Sequence, residues 1–140
     1  MNNNHSGSAP SPVGAYPLAR KVGDLLFLSG VGPRQAGSDE VPGNRVNAEG
    51  KLVGYDIELQ CHAVFENVRI ILEQSGLALT DLVDVTVYLT DMNKDFQVFN
   101  QLWAQYFRTG QPCRTTVEVR ALPTPIAIEL KCVAYAGQKP

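Results

Sequence analysis

The chain has 140 residues, 44% of them apolar, with 12 Lys and Arg against 14 Asp and Glu. That length is most simply one domain. The formal charge of −2 and pI near 5.6 give no basic footprint for nucleic acid, and no apolar run reaches the roughly 18 residues of a membrane span. Cys61, Cys113 and Cys132 make no close metal-ligand pair, and an odd count fits reduced thiols. With only His5 and His62 besides, zinc is not expected.

Residues 1–12 are polar, rich in Asn, Ser and Pro, and lack the layout of a signal peptide. They read as a flexible tail ahead of a single domain over 13–140, and the cytoplasm is the expected location. Ala15 to Arg20 and Leu25 to Ser29 read as two strands, with a turn at Val22-Gly23-Asp24, so a hairpin is expected. In Ser29-Gly30-Val31-Gly32-Pro33 the glycines permit close approach of backbone to a ligand. No helix follows at once, so this is not a dinucleotide loop. Gln35 to Gly54 reads as one long polar loop, a length that is often functional.

Asp56 starts a helix, with Ile57, Cys61, Val64, Val68, Ile71 and Leu72 at helical spacing and Gly76 closing it. Cys61 falls on that apolar face and Cys132 in a strand, so both read as small core residues. His62 reads as a surface or partly packed helix residue, with catalysis as the sharper alternative. Leu82 to Thr90 alternates as a strand, with Val83, Val85, Val87 and Leu89 on one face. A second helix follows Asp91. Its stripe of Phe96, Phe99, Leu102, Trp103, Tyr106 and Phe107 reads as core, and Gly110 and Pro112 stop it. Two further strands close the chain. The order β-β-α-β-α-β-β predicts an α+β sandwich, with two helices on one face of a mixed sheet. The other face would stay apolar and uncovered, which predicts a homo-oligomer with pockets where subunits meet.

The two C-terminal strands each carry one charge in apolar or β-branched company. Arg114 opens the first run and Glu129 sits inside the second. A buried charge is costly unless it has a partner or a task. Two readings stand open: a strand-to-strand ion pair, or a cofactor-free site for a small anion. In the second, Arg114 offers a planar fork to a carboxylate and Glu129 a base or water-orienting group across one small pocket.

Other segments carry a wider pattern: Val13-Gly14-Ala15-Tyr16, Val22-Gly23-Asp24-Leu25-Leu26-Phe27-Leu28-Ser29-Gly30, Glu66-Asn67-Val68, Asp84-Val85-Thr86-Val87-Tyr88-Leu89-Thr90-Asp91-Met92, Phe99-Asn100, Tyr106-Phe107 and Arg114-Thr115-Thr116-Val117-Glu118-Val119. On these the chain resembles the reactive-intermediate deaminase family (RidA/YjgF) from about Pro12 to Ala136. The resemblance implies a chorismate-mutase-like fold, a homotrimer with active sites in the clefts between subunits, and no metal or organic cofactor. It also implies that Arg114 clamps a substrate carboxylate and that Glu129 holds the attacking water. Tyr16, Ser29, Gly30 and Asn100 would line the pocket.

Two segments depart from the common pattern. Tyr16-Pro17-Leu18 stands where relatives continue Tyr-Ser-Gln, and Ser29-Gly30-Val31-Gly32-Pro33-Arg34 where they read Ser-Gly-Gln. These features look like the 2-aminomuconate deaminase branch, which acts in catabolism of aromatic compounds. A substrate with two carboxylates needs a second cation. Arg34 is the best candidate, ahead of Arg20 and Arg120. Cys113, beside Arg114, reads as pocket-lining, with covalent catalysis as the alternative. Two other functions stay in view: a general deaminase of small 2-imino acids, and a non-enzymatic ligand-binding or chaperone-like trimer.

Overall fold

The computed structural model describes residues 9–38 and 40–138. The expected tail over 1–12 lies outside these residues for 1–8. Ala9 packs against the core and Pro10 is buried, so residues 9 and 10 belong to the packed chain. Strands β1 (Ala19–Val22) and β2 (Leu25–Leu28) form the leading hairpin. The first strand starts four residues later than its alternation implies, because the chain from Val13 to Tyr16 runs as bends.

The expected 35–54 loop holds a small separate hairpin, β3 (Arg45–Val46) and β4 (Leu52–Gly54). Strands of two and three residues are too short to leave a periodic signal. Helix α1 (Ile57–Gln74) starts where the Asp56 carboxylate caps the Glu58 and Leu59 N–H groups, and Gly76 ends it at φ +74°, a left-handed position that suits glycine. A short 3₁₀ turn, Leu79–Asp81, leads into β5 (Leu82–Leu89). Helix α2 (Met92–Tyr106) is capped by Asp91, and β6 (Cys113–Glu118) and β7 (Ile128–Tyr135) close the chain.

The large sheet has the order β1-β2-β7-β5-β6, antiparallel except for the β5–β6 pair. That parallel pair is joined through α2, as a crossover requires. Both helices cover one face. Val85, Val87 and Leu89 of β5 lie in register with Cys132, Leu130 and Ile128 of β7, all buried against Val64, Phe65, Val68 and Phe99. The architecture expected from the element order, two helices on one face of a mixed sheet, is the one observed.

Val83 departs from its predicted face. A bulge between Leu82 and Asp84 leaves Val83 45% exposed, since one extra residue flips the alternation that follows it. The uncovered face carries Val22, Leu25, Phe27, Val117 and Tyr135, each partly exposed, among polar side chains such as Thr86 and Lys131. Cys61 and Cys132 are buried core residues. Burial pushes both thiols up to about 12, so neither is poised as a nucleophile.

Candidate functional site

Strand register decides where the two charged residues of the C-terminal strands go. Arg114 pairs with Val85 across the parallel ladder, so its side chain enters the helix-covered face. Glu129 pairs with Tyr88 across the antiparallel ladder, one alternation away from Val87, so it emerges on the uncovered face. β5 lies between β6 and β7, which sets the two strands about 10 Å apart. Within one chain Arg114 and Glu129 therefore do not meet. Consecutive strands are not neighbouring strands here, and neither the expected single-chain pocket nor the strand-to-strand ion pair forms.

Arg114 is half-buried under α2. Its guanidinium lies 5.0 Å from the Trp103 ring, 5.3 Å from Phe99 and 5.9 Å from Phe96. The rings hold the planar cation by their faces and remove water from it. Desolvation lowers its pKa from the ordinary value, yet a guanidinium stays charged. Among the described residues no carboxylate pairs with it. Two residues on, the Thr116 hydroxyl is buried without a hydrogen-bond partner. In the sequence the ring stripe carries a core signal and Thr116 carries none. The unpaired hydroxyl is visible only once register puts it beside Arg114. Asn100 lies one turn beyond Phe96 on α2 and is exposed. Cys113 points the opposite way from Arg114 and is exposed.

Glu129 anchors a second cluster. Its carboxylate is half-buried, and burial raises its pKa above the usual glutamate value. Val31 exchanges backbone hydrogen bonds with Leu130 at 2.8 and 2.9 Å, which lays the segment after β2 alongside β7. A Cβ on Gly30 would stand 2.9 Å from the Glu129 carboxyl carbon and from Oε2, so the carboxylate occupies space that only glycine leaves. An open hollow of about 340 Å³ is lined by Glu129, Gly30, Tyr16, Arg34, Thr124 and Ile126, among others. Ser29 instead donates its hydroxyl to the Pro17 carbonyl at 2.7 Å, tying the segment that carries Tyr16 to the end of β2.

The predicted residues thus fall into two separate clusters. Glu129, Gly30, Tyr16 and Arg34 share one hollow, with Ser29 bracing it. Arg114, Thr116 and the α2 rings, flanked by Asn100, form the other. Arg20 and Arg120 are exposed and line neither. His62 bonds the Tyr106 hydroxyl at 2.6 Å on the outer helix face, away from both. Among the described residues no cluster of three or more His, Cys, Asp and Glu is placed to hold a metal, and no helix is long and apolar enough to cross a membrane.

Residues 6–136 match the family described as Endoribonuclease L-PSP. A RutC family protein of Pyrococcus horikoshii is 40% identical over 91% of this chain and 92% of its own length. The chloroplastic Reactive Intermediate Deaminase A of Arabidopsis thaliana is 35% identical over 90% of this chain, which spans 61% of that protein. The crystal structure of the YjgF gene product from E. coli superposes with a TM-score of 0.76 at 31% identity, covering 91% of this chain and 92% of that one. The match over residues 6–136, these relatives and the helix-over-sheet architecture place this chain in the RidA/YjgF (Endoribonuclease L-PSP) family.

Proposed function

We propose that the protein is a hydrolytic deaminase of 2-imino acids and their enamine tautomers, with 2-aminomuconate as its substrate. The observation that carries this reading is a pair of complementary, unspent charges. Among the described residues, Arg114 is a stacked, desolvated cation without a carboxylate, and Glu129 is a half-buried carboxylate without a cation. A substrate carboxylate answers the first and a polarised water the second. Because they sit on opposite faces of one sheet, the complete site needs Arg114 of one copy beside Glu129 of another, in the clefts of a homotrimer.

The chemistry asks for little beyond placement. The enamine of 2-aminomuconate tautomerises to a 2-imine, electrophilic at C2. Arg114 grips the C1 carboxylate as a bidentate pair. Glu129 accepts a hydrogen bond from water, takes its proton as the C2–O bond forms, and passes it to nitrogen. The carbinolamine's O–H proton then passes by way of Glu129 to the nitrogen as the C–N bond breaks, releasing ammonia and leaving the 2-oxo acid, the 4-oxalocrotonate skeleton or its 2-hydroxymuconate enol. Imine hydrolysis is already facile, so aligned reactants supply most of the acceleration.

Support comes from the relative named a reactive intermediate deaminase and from the departures at Pro17-Leu18 and Val31 to Arg34. The family description names an endoribonuclease, but a formal charge of −2 favours a small anion over RNA. The neighbouring reading, a general deaminase of small imino acids, is favoured by Arg114 alone, which needs only one carboxylate. Ammonia release from freshly generated 2-aminomuconate and 2-iminopropanoate separates the two. The proposal expects kcat/KM to favour 2-aminomuconate. Preference for 2-iminopropanoate would replace it with the general reading, and no release from either would leave a ligand-binding trimer.

A further inference from the structure

Two side-chain amides grip the short segment that leads into β7. Gln60 of α1 is fully buried, and its carboxamide oxygen accepts from the Ala127 N–H at 2.8 Å. Its Nε2 donates to the Asn44 Oδ1 at 2.8 Å, and the Asn44 Nδ2 donates to the Pro125 carbonyl at 2.8 Å. The two ends of this chain of bonds fix its polarity. A backbone N–H can only donate and a carbonyl can only accept, so neither amide can turn over without losing both of its bonds. Asn44 comes from the long loop ahead of α1. There its own N–H bonds the Val41 carbonyl at 3.2 Å, and the Asp56 N–H bonds the Gly43 carbonyl at 3.0 Å, which ties the loop to the capping residue of the helix.

The residue between the two gripped positions is Ile126. Its side chain is buried, and a Cβ on Gly32 would stand 2.8 Å from Ile126 Cδ1. Gly32 thus leaves room for Ile126 as Gly30 does for Glu129, and both side chains border the same hollow. The Ala127 carbonyl accepts from the Thr90 N–H at 3.1 Å, so the segment is slung between the end of β5 and the amides of Gln60 and Asn44. An apolar wall on the hollow keeps water from the carboxylate, and burial is the cause that raises the Glu129 carboxyl. Asn44 and Gln60 are not part of the hollow's lining; they act on it through Ile126.

We propose that Asn44 and Gln60 are positioning residues, which hold Pro125 to Ala127 so that Ile126 walls the hollow occupied by the Glu129 carboxylate. The inference rests on the deaminase reading in taking Glu129 as the group that orients water, and its test has a second readout that needs no substrate. In Asn44→Ala, kcat for ammonia release should fall about tenfold, since small displacements of reacting groups are costly. KM should stay within about twofold, because the Arg114 clamp is untouched. In an NMR titration of the Glu129 carboxyl carbon, the midpoint should move down toward the ordinary glutamate value of about 4.3 as water enters. Asn44→Ser, also too short to span to Pro125, carries the same test if Asn44→Ala does not fold. Tyr55→Phe removes the 2.6 Å hydrogen bond to Asp95 from the same loop and should leave both readouts near native. Native kcat or an unmoved titration in a folded Asn44 variant overturns the proposal, and so does an equal loss in Tyr55→Phe. If the native protein releases no ammonia from 2-aminomuconate or 2-iminopropanoate, the deaminase reading falls, and the titration alone decides the role of Asn44.

Discussion

Burial makes Glu129 hold its proton to higher pH than a free glutamate, and that has two consequences of opposite sign. For catalysis the acceptor must be ionised. The acid limb of kcat/KM should therefore lie above the ordinary glutamate value of about 4.3, and Glu129→Gln should lower kcat and abolish that limb. For stability, a raised folded-state pKa favours the native protein at low pH, and that contribution is lost as pH rises through it. Glu129→Gln should thus melt no lower than the native protein at pH 7 while losing activity, a split that calorimetry and turnover together can read. A fall in both would make Glu129 structural. At Arg114, Arg114→Lys keeps a charge but loses the fork. Charge-assisted hydrogen bonds contribute about 1.5–3 kcal/mol, so kcat/KM should drop roughly 10- to 150-fold. Native activity in that variant would remove the clamp. Both residues stand out in the sequence because a charge inside a β-branched run is rare. Thr116 does not, because an unsatisfied hydroxyl depends on what surrounds it.

Two elements bring these groups into place. The segment after β2 is pinned to β7 by Val31 and to α1 by Asn67, so it delivers Gly30 and Arg34 as a unit. Gly30→Ala places a methyl group against the Glu129 carboxylate. The end of a flexible side chain can move, so the fold should persist while kcat falls about tenfold or more, since small misplacements of reacting groups are costly. Unchanged kcat would mean the carboxylate need not be where it stands. Helix α2 supplies the rings around Arg114. Trp103→Leu removes the nearest of them, and a cation–π contact of about 0.5–2 kcal/mol translates to a KM rise of roughly 2- to 30-fold. An unchanged KM would leave the rings as core alone. Both helices and β5 are legible in the sequence, since a long amphipathic period and a capping aspartate are local signals. The β3–β4 hairpin, the bulge at Val83 and the anchoring of residues 9–12 are not, because each depends on contacts made far along the chain.

At the scale of the whole molecule, pairing order is what sequence pattern conceals. Alternation fixes which residues of a strand share a face but is silent on which strand lies beside it. Inserting β5 between β6 and β7 separates Arg114 and Glu129 onto opposite faces of the sheet. On the proposed function, the uncovered face, with Phe27, Val117 and Tyr135 partly exposed, is where copies would join and bring Arg114 of one beside Glu129 of another. The most direct measurement is complementation. Arg114→Ala and Glu129→Gln proteins, each inactive alone, are unfolded together in equal amounts and refolded. If each site takes one residue from each of two copies, random assembly in a ring leaves about a quarter of the sites intact, and activity should return to about a quarter of the native level. No recovery from well-folded mixed oligomers would contradict a site shared between copies.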